Sequence, residues 1–159
     1  MTRLIAATDA HFAWLLGEGP APDGLLAAKG GVESPEILAW LRRVAAELAA
    51  AGVVGSWLIV ASNEVVGLCG LKAPPDGVGA AEIGYGVAAS RMGEGHATRA
   101  VRHLVSRARD IGGLSVLRAE TKVDNPASQR VLERNGFTRV ASRTDPEDGE
   151  LIVWSLTLR

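Results

Sequence analysis

The 159-residue chain reads as an α/β (α+β) fold, a mixed central sheet of about seven strands with helices on both faces. Three observations predict it. Apolar runs of strand length alternate with segments of helical period. Two of the helical segments carry start and stop signals at both ends. Two pairs of strand-like runs are separated only by a short turn, which makes antiparallel hairpins, while the remaining strands need helical crossovers. A layered sheet with helices packed on it satisfies all three.

The elements follow in order. "RLIAAT" is a short opening strand, and Thr8-Asp9 starts a helix through "AHFAWLLGEG". "GPAPDG" is loop. "SPEILAWLRRVAAELAAAG" is the clearest amphipathic helix: Ser34 caps it, Pro35 takes the first helical position, Glu36 sits in the first turn and Gly52 ends it. Its apolar face is Ile37, Leu38, Leu41, Val44, Ala45 and Leu48. "SWLIVASN" and "EVVGLCGLKA" form a hairpin turning at Asn63, and "PPDGVG" is a turn. "AAEIGYGV" is a strand, and "GHATRAVRHLVSRARDIG" a helix with Ala97, Ala100, Val101, Leu104, Val105 and Ala108 inward. "LSVLRAETKV" is a strand. "NPASQRVLERNG" is a short helix capped by Asn125 and stopped at Asn135-Gly136. "FTRVASRT" and "ELIVWSLTL" close as a hairpin around "DPEDG". No repeat, low-complexity tract or linker divides the chain, so residues 1–159 are expected to form a single domain.

Composition narrows the classes. Hydrophobic residues make up 47% and charged residues 22% of the chain, as in soluble globular proteins. No apolar run approaches the roughly 20 residues that span a bilayer, and "MTRLIAATDAH" is too short in apolar residues for a signal peptide. With one cysteine, Cys69, an internal disulfide framework is excluded and a cytoplasmic location is the expectation. His11, His96, His103 and Cys69 are too scattered for a metal set, so no metal is expected. Charge is uneven: residues 1–79 hold five Lys/Arg against eight Asp/Glu, and residues 91–143 hold eleven against five. The basic half is either a set of solvated helix faces or a field for an anionic ligand. Nucleic acid ranks low, because aromatic residues are only 4% of the chain.

"GYGVAASRMGEGHATRA", residues 84–100, gives that anion a place. A strand runs into Gly93 and Gly95 and then a helix, whose first-turn N–H groups have no intrahelical partner and whose dipole adds positive charge. Ala97 keeps the next turn small and Thr98 adds a hydroxyl. A structural turn would explain the same glycines. No Lys-Ser/Thr follows them, and the third glycine of a dinucleotide fingerprint is missing.

Together with "AETKVDNPASQRVLERNGF", this segment resembles the GNAT family of acetyl-CoA-dependent N-acetyltransferases. "EIGYGVAASRMGEGHATRAV" looks like the family's strand and phosphate loop. The second segment is similar to the branch that includes the ribosomal-protein alanine N-acetyltransferases, with its pattern N-x-x-S-x-x-V-L-E-x-x-G-F. The specific match spans residues 82–137, and the element order around it is also the family's.

The resemblance implies a GNAT fold with a splayed pair of strands holding the pantetheine of acetyl-CoA as co-substrate. Val87 and Ala89 are expected to meet the pantetheine amides. The N–H groups of Met92, Gly93, Glu94, Gly95, His96 and Ala97, with Thr98 beside them, are expected to meet the pyrophosphate. Asn125 is expected to hold the pantetheine or the splay as well as cap its helix, and Arg99 and Arg130 are candidates for the 3′-phosphate. Glu82 is the candidate base, with Glu120 a rival, and Ser128 the candidate acid, because Leu132 stands where many relatives carry a tyrosine. Met92 stands where the family usually has Gln or Arg. Tyr85 reads as sheet packing, His96 as a loop residue facing solvent, and Cys69 as core. The implied function is direct acetyl transfer to a primary amine of a small molecule or a peptide N-terminus. The rival is a catalytically silent acyl-CoA-binding module. Acidic loops (Glu18, Asp23, Glu33, Glu36; Asp145, Glu147, Asp148, Glu150) favour a cationic acceptor. Neither nucleic acid nor membrane is an expected partner, and a homodimer stays open.

Overall fold

The computed structural model describes residues 1–159. Strand β1 (Thr2–Ala6) leads to helix α1 (Asp9–Leu15), a 3-10 turn (Pro22–Gly24) and the two-residue strand β2 (Leu26–Ala27). Helix α2 (Pro35–Ala50), the hairpin β3 (Ser56–Ala61) and β4 (Glu64–Leu71), and β5 (Ala80–Val87) follow. A second 3-10 turn (Ala89–Arg91) precedes α3 (His96–Ala108), then come β6 (Val116–Lys122), α4 (Pro126–Arg134), β7 (Thr138–Asp145) and β8 (Gly149–Thr157). The main path of the sheet is β1-β3-β4-β5-β6-β8-β7, which are the seven expected strands. The eighth, β2, lies off this path and pairs parallel with β4 through Leu26↔Glu64 and Ala27↔Val65. Two residues carry no period, so β2 has no signature in the sequence.

Local signals place the helices. The Ser34 hydroxyl accepts the Ile37 N–H at 3.3 Å, with Pro35 in the first turn and Gly52, at φ +74°, beyond the end of α2. Leu38, Val44 and Leu48 are buried, but Ile37 is 42% exposed, so the apolar face of α2 is narrower than its period suggests. On α3 the inward face holds as expected: Ala100, Val101, Leu104, Val105 and Ala108 are buried and Ala97 packs against them. α3 covers one face of the sheet, over Ile59, Cys69 and Ile83. α1 and α2 cover the other, with Phe12 and Leu38 against Leu58, Val60 and Leu68.

One junction decides where a site can form. β5 and β6 are the parallel pair on the main path, joined by α3 as crossover, and they pair only at Ala80↔Val116, Ala81↔Leu117 and Glu82↔Arg118. Beyond Glu82, β5 stays with β4 as far as Gly67↔Val87, while β6 stays with β8 as far as Lys122↔Leu151. The sheet therefore opens into a V. No helix is long and apolar enough to cross a membrane.

Candidate active site

The V exposes main-chain groups. Lys72 N–H donates to the Glu82 carbonyl and Ala88 N–H to the Val66 carbonyl, so the even-numbered residues of β5 face β4. Antiparallel bonding alternates, which turns the N–H and C=O groups of Tyr85 and Val87 into the gap. Val87 is thus placed on the wall of the V, whereas Ala89 has already left the strand for the 3-10 turn.

At the end of that turn the chain enters the glycine loop. Gly93 and Gly95 adopt φ of +80° and +81°, a region that side chains avoid, and Gly95 is the left-handed N-cap of α3. The N–H groups of Met92, Gly93, Glu94, Gly95, His96, Ala97 and Thr98 find no main-chain acceptor. Met92, Gly93, Glu94 and Gly95 are exposed, and Met92 is 67% exposed. The helix dipole adds to this row of donors.

Side chains brace the loop from below. Arg91 forms a bidentate pair with Glu64 of β4 at 2.6 and 2.7 Å, which holds the Glu64 carboxyl below its ordinary range. Arg99 donates through Nε to Thr2 Oγ1 at 2.9 Å and through Nη2 to the Glu94 carbonyl at 2.8 Å. It braces the loop through these two nitrogens. His96 corrects the expectation of a solvent-facing ring: it is buried, with Nδ1 at 3.0 Å from Thr2 Oγ1 and Nε2 at 3.0 Å from Glu94 Oε1. Arg99 donates to the same Thr2 hydroxyl, so the ring is held between Thr2 and Glu94. The contact spans 94 residues of sequence, which is why the sequence did not show it. Arg130 is exposed on α4 and is in no ion pair.

The far wall of the V is α4. Asn125 caps it by accepting the Ser128 N–H at 3.1 Å. The Asn135 amide ties it to the first turn of α3 through the Thr98 carbonyl at 3.1 Å. Ser128 Oγ meets the Tyr85 hydroxyl at 2.8 Å, and that hydroxyl also donates to the Ser128 carbonyl at 3.1 Å. Tyr85 thus reaches from β5 across the gap to the helix carrying Ser128, a role that sheet packing alone does not describe. Burial pushes its phenol above the ordinary range, with the Ser128 bond pulling back, so it is protonated at neutral pH. Leu132 has no exposed surface and belongs to the core under α3, away from the gap.

On the α2 side a cavity of about 270 Å³ opens beside the V, lined by α2, β4, β5 and the preceding loop, with Tyr85, Glu120 and Ser128 at its inner end. The carboxylates near it differ in company. Glu82 pairs with Lys72, which lines the cavity. Glu120 is gripped by Arg143, which keeps its carboxyl below the ordinary range. Glu33 has no cationic partner; Oε1 accepts the Ser34 N–H at 3.0 Å, and Oε2 lies 3.6 Å from where a Cβ on Gly86 would stand. Of the other acidic loop residues, Glu18 is held by Arg42 at 3.1 Å and Asp148 stands 3.9 Å from Lys122. Sequence reading missed the cavity, because Glu33, Lys72 and Tyr85 come from three separate segments. The only signal available was strand parity, which puts Glu82, Gly84 and Gly86 on one face and Tyr85 on the other.

Comparison with known proteins agrees with this architecture. The family profile for the acetyltransferase (GNAT) domain matches residues 28–138. The uncharacterized N-acetyltransferase YjdG of Bacillus subtilis (strain 168) is 34% identical over 84 residues, 52% of this chain and 50% of the relative. The match therefore spans about half the length of that relative. Among solved structures, the RimL ribosomal L7/L12 alpha-N-protein acetyltransferase in complex with coenzyme A superposes with a TM-score of 0.74 at 23% identity, covering 99% of this chain and 94% of that one. The aminoglycoside acetyltransferase AAC(6')-Ib in complex with coenzyme A gives 0.70 at 20% identity, covering 99% and 95%. With the family profile matched over most of its length, the chain belongs to the GNAT acetyltransferase family.

Proposed function

We propose that the chain is an N-acetyltransferase that moves an acetyl group from acetyl-CoA directly to a primary amine. The observation that carries this reading is the V between β5 and β6, walled by the free main-chain groups of Tyr85 and Val87, opening onto the unpartnered N–H groups of residues 92–98. Such a site fits an extended amide-bearing arm ending in a pyrophosphate. Nothing lies within 4 Å of where a Cβ on Gly93 would stand, so the loop is open to phosphate oxygens. Arg130 is the free cation for a further phosphate. The similar structures above are described with coenzyme A, and their named acceptors, a protein α-N-terminus and an aminoglycoside, are both amines.

The residues divide the chemistry. Amine nitrogen bonds to the acetyl carbonyl carbon, the carbon–sulfur bond breaks, the amine gives up a proton and the departing thiolate gains one. The Val87 N–H is directed to where the carbonyl oxygen gathers charge. The Ser128–Tyr85 pair holds the proton for the thiolate, and because Tyr85 reaches it from the opposite wall, the leucine at 132 does not leave the site without a phenol. Glu82, paired with Lys72, is the base to test, acting directly or through water. Cys69 is buried and burial pushes its thiol up to about 12, so it carries no acyl group.

A panel of amines and N-terminal peptides with acetyl-CoA, followed by thiol release, tests the reading in wild type, Glu82→Gln, Ser128→Ala and Tyr85→Phe. Amine-dependent thiol release is expected, falling by about 10²-fold or more where a general acid or base is removed. Tight coenzyme A binding with no turnover on any acceptor would instead make the chain a silent acyl-CoA-binding module.

A further inference from the structure

The cavity beside the V says what kind of amine it takes. Its wall is mainly apolar and includes aromatic rings: Phe12, Ile37, Trp40, Leu41, Trp57 and Leu68 line it. Ile37 and Trp40, 42% and 41% exposed, stand at neighbouring positions of α2, where large apolar side chains would normally be covered. At about 270 Å³ the space is just under the roughly 300–1,000 Å³ of drug-sized sites, room for one ring system rather than several.

Its charges are balanced but for one. Lys72 is matched by Glu82 and Glu120 by Arg143, which leaves the Glu33 carboxylate, poised over Gly86 at the open part of β5, without a cation. One uncompensated carboxylate matches one ammonium. A second ammonium on the same ligand would enter an apolar space with no partner and face the Lys72 ammonium, a costly arrangement.

We propose that this cavity receives the acceptor, a monocationic primary amine carried on a bulky apolar, preferably aromatic, group, with Glu33 taking its ammonium. The proposal rests on the acetyltransferase reading above and names its acceptor class. The same chemistry occurs in a free arylalkylamine and in a peptide that begins with an aromatic residue. Polyamines and aminoglycosides, each a polycation, fall outside it.

The test has a binding arm and a turnover arm. Calorimetry measures binding of tryptamine and of a peptide with N-terminal Phe to the protein saturated with coenzyme A, and thiol release compares tryptamine, the Phe peptide, a peptide with N-terminal Gly, spermidine and kanamycin. Tryptamine or the Phe peptide is expected to exceed spermidine and kanamycin in kcat/KM by about tenfold or more, and which of the two leads identifies the source. Glu33→Gln is expected to raise KM for the best amine by about tenfold, the scale of one charge-assisted bond, with kcat within about threefold and coenzyme A affinity unchanged. Trp40→Ala, at a position 41% exposed, is expected to raise KM for the aromatic acceptors and not for the Gly peptide. Polycations that equal or outperform the aromatic amines, or an unchanged KM in Glu33→Gln, overturn the proposal while the acetyltransferase reading stands. Calorimetry that finds neither tryptamine nor the Phe peptide bound overturns it whether or not anything is acetylated. Coenzyme A failing to bind defeats the acetyltransferase reading, and the calorimetric arm run without coenzyme A still judges the cavity.

Discussion

Cys69 and Gly95 show how single positions carry mechanistic weight. Cys69 lies on β4 at 7% exposure, inside the core under α3, where burial disfavours the thiolate. Direct transfer therefore predicts that Cys69→Ala retains turnover, with sequential kinetics and no acetyl label on the protein. A ping-pong pattern with labelled protein would remove the direct mechanism. Gly95 is constrained twice: its φ is +81°, and a Cβ there would stand 2.6 Å from Arg99 Nη1. Gly95→Asp adds a carboxylate at the head of α3, beside the row of phosphate-facing N–H groups. It should weaken coenzyme A by well over tenfold, about 1.4 kcal/mol or more. Calorimetry on the folded variant decides the matter, and an unchanged affinity would move the pyrophosphate elsewhere.

At the scale of elements, the helices do more than cover the sheet. Arg99, His103 and Arg107 recur every four residues on α3 and meet the Thr2 side chain, the Thr2 carbonyl and the Leu4 carbonyl in turn. They occupy the outer polar groups of β1, an edge strand that would otherwise be open to pairing. The same helix begins at the glycine loop with its first N–H groups unpartnered, so edge protection and loop geometry share one element. α4 depends on its cap: Asn125→Ala removes the acceptor for the Ser128 N–H and is expected to cost about 1 kcal/mol in chemical denaturation. These ends were legible in the sequence because caps are local; Ser34-Pro35, Asn125-Pro126 and Asn135-Gly136 announce themselves within a few residues. The pairs that give the site its chemistry were not legible. Tyr85 meets Ser128 across 43 positions, and Glu33 comes to Gly86 from a loop before α2. Those contacts depend on how far β5 and β6 diverge and how α2 tilts, which no local pattern encodes. Family resemblance pointed to the glycine loop and the splay, and only packing showed the cavity beside them.

For the whole molecule, ion pairs and the V set how stability responds to conditions. Glu64 and Glu120 are held below the ordinary carboxylate range by Arg91 and Arg143, respectively. Carboxyls depressed in the fold contribute stability that is present above their unfolded value, about 4.3, and is lost as pH falls through the lower folded value. Unfolding free energy should therefore decline with acid from about pH 5 downward, and Glu120→Gln should flatten part of that decline, with solvent screening keeping the effect small. The V has the larger consequence. β5 and β6 pair at only three positions, with one core packed beneath them from α3 to α4, and the Tyr85–Ser128 and Asn135–Thr98 contacts add to it. An arm lying in the gap would bond to both walls at once and tie β5 to α4, so it binds the folded chain and has no site in the unfolded one. Coenzyme A at about 100 times its Kd should then add about 2.7 kcal/mol of stability. For a domain of this size, at roughly 2–4 °C per kcal/mol, the melting temperature should rise by about 5–11 °C. Adenosine 3′,5′-bisphosphate, which lacks the arm, should bind more weakly and so give a smaller rise at equal ligand concentration. A thermal melt with both ligands checks this, and equal shifts would mean that the arm finds no footing between β5 and β6.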